Sequence, residues 1–465
     1  MFDDEEDDED LGKELNDALA RYEQSREDGQ FPYFPSDHLD FIIEHYMTQG
    51  EIQNAGQCLE LALEIYPNVE LFKLRQAQYL SNLGEVNKAL KLLDTINYSE
   101  FELDFISTKA VIFSQLRDHK NAIKLYRQAL ELANPDERDD LFLDLASELQ
   151  AMNDLDGAIK VLNQALSNNP NNEVVIYEIA FCYDQIGDFE RAIKSYKDFI
   201  DNNPYSFTAW YNLGNSYSKM EDFENAIIAY DYCIIINEDF TPAKFNLGNA
   251  YLSSEKYNEA IECFQECIDK DGEDSLVICY LGECYENLEQ YDKALEFYNK
   301  SIELTPELPE PWVGKGIVMD LKGETLEGIG FIKHGLELDP NNAGYWHVLA
   351  GAAEKVEDLT LTHECYQKAR LLDPSSNEVF CDYVAFLCEQ DVDLGLQYVQ
   401  ALKESERMGA WYLAFLYANW IKSKATFVIK EYELLLLSDA IQAKELFLYF
   451  PDMEEDKKFK KYLNK

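Results

Sequence analysis

The residues of this 465-residue sequence that could hold a metal ion with sulfur or imidazole ligands are ten cysteines and six histidines. Four of the cysteines, Cys263, Cys267, Cys279 and Cys284, superficially resemble a four-thiolate zinc arrangement. The histidines are scattered at positions 38, 45, 119, 334, 347 and 363. No phosphate-binding glycine loop, nucleophile elbow or paired-histidine metal motif is present. The sequence therefore predicts no catalytic centre and no cofactor, and it leaves the cysteine quartet as the metal candidate to weigh.

An internal repeat explains the four cysteines better than zinc does. The stretch "WYNLGNSY" at residues 210–217 returns as "KFNLGNAY" at residues 244–251, which is 34 residues later. In this register each cysteine of the quartet shares its position with others: Cys263 with Cys58 and Cys365, Cys267 with Cys233, Cys279 with Cys381, and Cys284 with Cys182. A cysteine at a recurring position behaves as a small buried hydrophobic residue. Ligand pairs would also face different sides of a helical hairpin, so we predict no metal site.

Small residues recur at about the same step along most of the chain. They are Ala55, Ala89, Ala122, Ala158, Ala192, Ala226, Ala260, Ala294, Gly328 and Thr362. A second, mostly small position lies twelve residues before each, and a large residue follows that position three residues later. Antiparallel helix pairs explain this spacing, because small side chains let two backbones approach while large ones fill the space beside them.

Glycine and proline separate the predicted helices. Gly50, Gly84, Gly187 and Gly323 share one position between the two helices of a pair, where a left-handed backbone favours glycine. Pro67, Pro170, Pro204, Pro306, Pro340 and Pro374 follow the second helix, which proline cannot extend.

This pattern of small residues, Leu-Gly, Tyr, Ala, an aromatic residue and Pro resembles the tetratricopeptide repeat family. The resemblance implies an all-α fold, a right-handed superhelical solenoid of antiparallel helix pairs. It covers about three-quarters of the chain as ten hairpins over residues 36–376. We predict that the hairpins begin at Ser36, Glu70, Leu103, Asp139, Glu173, Phe207, Thr241, Ser275, Pro309 and Ala343.

The two ends of the sequence depart from the repeat. Residues 1–35 are predicted to form an acidic tail and a helix at residues 11–26 that could cap the first hairpin. The run Asp3 to Asp10 is either a solvated tail or a competitor for a basic partner or for the lysine-rich end. Residues 377–465 are predicted to form degenerate repeats and a C-terminal cap of two or three helices, followed by Lys457, Lys458, Lys460, Lys461 and Lys465.

Net charge and composition exclude some classes of binding partner. The formal charge of −49 repels nucleic-acid phosphates and anionic lipid headgroups, so we predict no nucleic-acid binding. No apolar run approaches the length that spans a membrane, and the acidic start lacks the features of a secretory leader. These features favour a cytoplasmic protein without membrane insertion, and 46% hydrophobic residues are enough to build an extensive core.

In the family that the sequence resembles, the first helix of each pair lines a concave groove. The positions predicted to face that groove are Tyr177, Phe181, Asp184, Tyr211, Asn212, Asn215, Phe245, Asn246, Asn249, Tyr280, Glu283 and Glu286. An asparagine carries both a donor and an acceptor, which suits it to hold the backbone of an extended peptide. The asparagines could equally be the polar residues of ordinary repeats.

The sequence therefore favours a non-enzymatic scaffold that binds an extended basic or apolar peptide in the groove. The alternative is a structural subunit of a larger complex or homo-oligomer, which would assemble through the aromatic C-terminal helices.

Overall fold

The computed structural model of the protein describes residues 15–26, 32–99, 101–402, 410–422, 425–438 and 440–455. The acidic run from Asp3 to Asp10, Leu11 and the lysine-rich end lie outside these residues. The chain divides into two compact units, Met1–Glu238 and Asp239–Lys465. Across the described residues, all regular secondary structure in both units is helical.

The first unit contains thirteen α-helices within its described residues. They are α1 at 15–26, α2 at Ser36–Thr48, α3 at Ile52–Ile65, α4 at Glu70–Asn82, α5 at Val86–Leu93, α6 at Glu102–Gln115, α7 at His119–Leu132, α8 at Arg138–Ala151, α9 at Leu155–Asn168, α10 at Glu173–Ile186, α11 at Phe189–Ile200, α12 at Phe207–Lys219 and α13 at Phe223–Ile236. A 3₁₀ turn at Pro135–Glu137 precedes α8.

The second unit continues the pairs and ends in helices that do not follow the repeat. The paired helices are α14 at Thr241–Ser253, α15 at Tyr257–Asp271, α16 at Ser275–Asn287, α17 at Tyr291–Leu304, α18 at Pro309–Leu321, α19 at Thr325–Leu338, α20 at Ala343–Lys355 and α21 at Leu359–Leu372. The terminal helices are α22 at Asn377–Gln390, α23 at Val392–Ala401, α24 at Trp411–Ile421, α25 at Ala425–Ser438, α26 at Ala440–Tyr449 and α27 at Pro451–Glu455.

The predicted all-α fold of helix pairs is confirmed. From α2 to α21, each even-numbered helix is the first of a pair, and it packs against the odd-numbered second helix that follows it after a short turn. Eight predicted hairpin starts coincide with helix starts, whereas Leu103 and Asp139 are one residue late. The helix that contains Asp139 begins at Arg138 because the capping box of Asn134 and Glu137 leads the chain into it through the 3₁₀ turn.

Close packing within each pair depends on a small residue of the first helix beneath a large residue of the second. A Cβ added at the glycine would lie under 3.0 Å from an aromatic ring in three successive pairs: 2.5 Å for Gly214 and Tyr230, 2.7 Å for Gly248 and Phe264, and 2.7 Å for Gly282 and Tyr298. Real Cβ atoms essentially never make such short contacts. The two helices can therefore approach this closely only because the side chain of the first is absent.

The turn inside each pair contains a left-handed residue. Gly50, Gly84, Gly187 and Gly323 have φ between 73° and 85°, as the sequence predicts. In the other six pairs the same position holds a residue with a side chain and φ between 56° and 60°: Arg117, Asn153, Glu221, Glu255, Glu289 and Glu357. A left-handed residue that carries Cβ is strained by roughly 1 kcal/mol. The repeat geometry thus imposes this conformation whether or not glycine is available.

The C-terminal helices form one hydrophobic cluster. The prediction of two or three helices after Asn377 is wrong, because six are present in the described residues. The aromatic side chains pack against each other: the rings of Tyr417 and Phe450 stack at 4.1 Å, and the indole N–H of Trp411 donates to the carbonyl of Val399 at 2.8 Å. The missing repeat period gave no signal for dividing these apolar stretches into short helices.

Replacing Gly248 by alanine is expected to destabilise the protein, because the new methyl group would overlap the Phe264 ring. We expect the free energy of unfolding to fall by about 1 to 3 kcal/mol, the usual range for overpacking. Gly330 is the matched control, since it is exposed on α19 and no atom lies within 4 Å of its added Cβ. Gly330→Ala should raise stability by about 0.5 to 1 kcal/mol through helix propensity. Urea unfolding measures both; a gain for Gly248→Ala would contradict the close approach.

The strain of the left-handed turn residue predicts opposite changes in stability at two equivalent positions, Glu289 and Gly323. Glu289→Gly should stabilise the protein by about 0.5 to 1 kcal/mol, because glycine tolerates φ of 58° without a Cβ clash. Gly323→Ala should destabilise it by about 1 to 2 kcal/mol for the converse reason. Thermal unfolding of the two variants beside the parent protein checks the pair. Equal shifts of the same sign would show that the left-handed turn does not control stability here.

Candidate peptide-binding surface

The twelve residues predicted to face the groove lie on four first helices, two in each unit. Tyr177, Phe181 and Asp184 lie on α10, and Tyr211, Asn212 and Asn215 lie on α12, in the first unit. Phe245, Asn246 and Asn249 lie on α14, and Tyr280, Glu283 and Glu286 lie on α16, in the second unit. The geometry of each set is therefore described within its own unit.

On α10, the polar groups of the candidate residues already have partners. The hydroxyl of Tyr177 donates to Glu173 Oε2 at 3.2 Å, and the Thr208 hydroxyl donates to the same oxygen at 2.9 Å. Burial raises the pKa of Tyr177 to about 12. Asp184 accepts a hydrogen bond from the ammonium group of Lys219. Phe181 has half of its surface exposed, which leaves an apolar contact area on this helix.

On α12, the asparagines bond within their own repeat. Asn212 Nδ2 donates to the Thr208 carbonyl at 2.9 Å, one turn earlier in the same helix. Asn215 Oδ1 accepts from the Tyr230 hydroxyl at 2.8 Å. The Tyr211 ring lies 6.1 Å from that of Tyr230. Part of the bonding capacity assigned to a peptide is therefore used inside the fold.

In the second unit, an aromatic cluster joins α14 to α16. The rings of Phe245 and Tyr280 meet edge to face at 5.6 Å, and Tyr280 stacks on Phe264 at 5.6 Å. Phe245 and Tyr280 are only half-buried, so the cluster presents an apolar surface beside the predicted asparagines. The structure thus brings together two of the aromatic residues that the sequence predicts.

Asn249 carries an acceptor that the fold leaves unpaired. Its Oδ1 is buried and has no hydrogen-bond partner among the described residues. Asn246, three residues earlier on α14, is half-buried. A buried amide oxygen without a partner loses about 1 to 3 kcal/mol relative to a bonded one. A donor supplied from outside, such as a peptide N–H, would recover that energy.

Glu283 and Glu286 are half-buried carboxylates on α16. Burial raises the pKa of Glu283. Burial also raises the pKa of Glu286 to about 7. The Tyr298 hydroxyl donates to Glu286 Oε2 at 2.7 Å and opposes this rise, whereas the charge of Glu283 adds to it. None of these influences is a cation. Among the described residues, neither Glu283 nor Glu286 forms an ion pair, so α16 carries two half-buried acidic groups without a cation beside them.

The equivalent carboxylates of other pairs show what Glu286 is missing. Asp184 and Asp320 occupy the position of Glu286 in their own pairs, and each forms an ion pair with a residue 35 positions later: Asp184 with Lys219, and Asp320 with Lys355 at 2.6 Å. Asp40 and Arg75 pair at 2.6 Å over the same spacing, nearer the start of their helices. The residue 35 positions after Glu286 is Leu321, which cannot supply a charge. The repeat therefore lacks a cation at a position where others have one.

Sequence reasoning missed neighbours of these glutamates. Buried Cys279 has a pKa raised well above the ordinary thiol value, first by burial and then by the charges of Glu283, Glu310 and Glu286. Glu310 and Tyr345 also interact, and burial followed by that carboxylate raises the pKa of the Tyr345 hydroxyl. Glu310 and Tyr345 are 35 residues apart, the same separation as in the ion pairs, and this spacing is the feature of the sequence from which their contact could have been predicted.

Three of the four cysteines of the quartet are buried among the helices, and Cys263 is partly exposed. Cys267, Cys279 and Cys284 are buried, and burial raises the pKa of Cys267 to about 11 and that of Cys284 to about 12. High pKa values favour the thiol over the thiolate that binds zinc. The four sulfur atoms do not form a ligand cluster within the described residues.

Family comparison agrees with the helix pairs. Models described as tetratricopeptide repeat match residues 104–136, 149–213, 207–240, 242–274 and 276–308, which contain all twelve candidate residues. The chain contains tetratricopeptide repeats between residues 104 and 308. No curated protein matches the sequence.

Several solved structures are similar to this chain. One is the APC/C hetero-tetramer Cut9-Hcn1, which is 15% identical, with 90% of this chain and 94% of that chain covered and a TM-score of 0.45. A tetratricopeptide repeat protein from Parabacteroides merdae ATCC 43184 has 17% identity, 54% and 98% coverage, and a TM-score of 0.41. YrrB, described as a TPR protein with an unusual peptide-binding site, is 23% identical, with 39% of this chain and 94% of that chain covered and a TM-score of 0.29.

Within the described residues, every helix is too short or too polar to cross a bilayer.

The raised pKa of Glu286 predicts a pH-dependent stability. The ordinary pKa is 4.5 and the folded value is about 7, so folding favours the protonated acid. Its stabilising contribution is complete below pH 4.5 and is lost as the pH rises through about 7. Glu286→Gln should therefore stabilise the protein at pH 8 by about 1 to 3 kcal/mol and have little effect at pH 4.5.

Thermal unfolding at the two pH values checks this expectation. Glu307→Gln is the control for the change in net charge, because Glu307 is exposed on the surface. The same shift at both pH values for Glu286→Gln, or the same pH dependence for both variants, would contradict a strained buried carboxylate.

Proposed function

We propose that the protein is a non-enzymatic scaffold that binds an extended peptide segment of basic and apolar character on the first-helix surface. The observation that carries this proposal is the pair of half-buried carboxylates, Glu283 and Glu286, which no cation of the described residues neutralises. A lysine or arginine of a ligand would supply the charge that Lys355 supplies to Asp320 in another repeat.

Apolar and amide groups beside the carboxylates support the same class of ligand. The half-buried rings of Phe245 and Tyr280 offer contacts to apolar side chains, and an aromatic face also attracts a cation. The unpaired Oδ1 of Asn249 offers an acceptor for a peptide N–H. A ligand would thus alternate backbone contacts at α14 with a basic side chain at α16.

Within the first unit, the candidate residues leave fewer polar groups available to a ligand. Asp184 is paired with Lys219, and Asn212 and Asn215 bond within the fold. Phe181 and Tyr211 remain as contacts for apolar side chains. The alternative, assembly through the C-terminal aromatics, has less support because those side chains pack within their own cluster.

Peptides selected from a random library on the full chain should be rich in lysine, arginine and apolar residues. For a selected peptide, the double variant Glu283→Gln, Glu286→Gln should bind at least about tenfold more weakly, since a hydrogen bond to a charged group is worth about 1.5 to 3 kcal/mol. Asn249→Ala should weaken the same peptide by about 2- to 10-fold. Fluorescence anisotropy with a labelled peptide measures these constants.

The control is Asp320→Asn, because that carboxylate is already paired with Lys355. Its affinity for the peptide should stay within about twofold of the parent value, and added salt should weaken binding to the parent most. Selection of acidic peptides, or equal affinity for the double variant and the parent protein, would reject the proposal. Light scattering of the free protein separately tests the assembly alternative, which requires a constitutive oligomer.

A further inference from the structure

One of the ion pairs between residues 35 apart differs chemically from the others. Where Arg75, Lys219 and Lys355 carry permanent charges, His347 on α20 contacts Asp382 on α22, with its Nε2 2.8 Å from Asp382 Oδ2. An imidazole can be a neutral metal ligand as well as a cation, whereas lysine and arginine are not ligands under ordinary conditions. This bridge therefore has a capacity that the others lack.

A second carboxylate completes a set of three ligand groups. Glu378 lies four residues before Asp382, so both side chains share one face of α22. One ligand atom from each of His347, Glu378 and Asp382 lies within 4.8 Å of the other two. These residues come from two different helices, so the cluster is produced by tertiary packing rather than by a local acidic run.

We propose that His347, Glu378 and Asp382 bind a transition-metal dication of the Zn²⁺ type. Tetrahedral zinc with bonds of about 2.0 to 2.1 Å separates its ligand atoms by about 3.3 Å. Ligand atoms now at most 4.8 Å apart reach that separation by side-chain rotation, and the metal replaces the proton between His347 and Asp382. Two carboxylates and a neutral imidazole balance the charge of the dication.

The donor set also selects the class of metal. One nitrogen and two carboxylate oxygens suit Zn²⁺ or Co²⁺, whereas Ca²⁺ requires six to eight oxygen ligands and Mg²⁺ retains most of its water. Three protein ligands leave a fourth position for water or for a donor from a bound partner. Because His347 lies on α20 and the two carboxylates lie on α22, a bound metal would cross-link these two helices.

Binding of Zn²⁺ to the metal-free full chain, measured by isothermal titration calorimetry, tests the site. The parent protein should bind one equivalent and melt at a higher temperature when zinc is present. His347→Ala and Glu378→Gln should each weaken binding by at least about tenfold, since even the loss of an outer-shell partner of a metal ligand costs 10- to 100-fold. His334→Ala is the control: His334 is a histidine of α19 paired with the single carboxylate of Glu337 at 3.3 Å, and its removal should leave zinc affinity unchanged.

The ten cysteines make a second readout necessary. Co²⁺ bound by His347, Glu378 and Asp382 should show weak visible bands without the intense near-ultraviolet band of a cobalt–thiolate bond. Circular dichroism establishes that each variant is folded, and Glu378 is exposed, so its substitution leaves the core intact. An absence of zinc binding, a thiolate band, or unchanged affinity in His347→Ala would each overturn the proposal and leave an ion pair only.

Discussion

The close contact between a glycine of one helix and an aromatic ring of its partner determines both the packing and the chemistry of these repeats. At Gly214, Gly248 and Gly282 the missing side chain admits the ring of Tyr230, Phe264 or Tyr298. When the ring is tyrosine, its hydroxyl extends past the contact and reaches a polar residue of the first helix. Tyr230 donates to Asn215 at 2.8 Å, and Tyr298 donates to Glu286 at 2.7 Å.

The same contact explains why a carboxylate can be buried at Glu286. A buried carboxylate is destabilised by lost solvation, and a hydrogen bond from a neutral hydroxyl offsets only part of that loss. Asp320 avoids this penalty because Lys355 of the next repeat pairs with it. Phe264, the corresponding ring in the preceding pair, has no hydroxyl, and there the residue equivalent to Glu286 is the apolar Leu252. Packing and polarity therefore vary together from repeat to repeat.

The sequence predicts the fold well because period and packing express the same constraint. A small residue every 34 positions is needed wherever two helices approach, so the helix starts can be located to within one residue. The left-handed turn follows from the same geometry, but the sequence shows it only at glycine, and Glu221, Glu255 and Glu289 adopt it without that signal. Beyond Asn377 the repeat ends and the number of helices cannot be inferred from it.

The candidate surface is harder to predict because it depends on which partner each polar group selects. Asn215 and Asn249 occupy the same position of the repeat, yet the oxygen of Asn215 accepts from the Tyr230 hydroxyl while the oxygen of Asn249 is left unpaired. The ring of the second helix decides between those outcomes, because Phe264 stands where the preceding pair has Tyr230 and carries no hydroxyl. The 35-residue spacing of the bridges is present in the sequence, but only the structure shows which residues at that spacing meet.

A net charge of −49 means that most carboxylates of this chain cannot find an internal cation. On an exposed helix face water solvates the surplus, and the energetic consequence is small. At α16 the carboxylates are half-buried, so the surplus is concentrated where solvation is weakest. Asp40, by contrast, is paired with Arg75 at 2.6 Å. Without such an ion pair, the carboxylates of α16 keep a desolvation cost that either protonation or a nearby cation relieves.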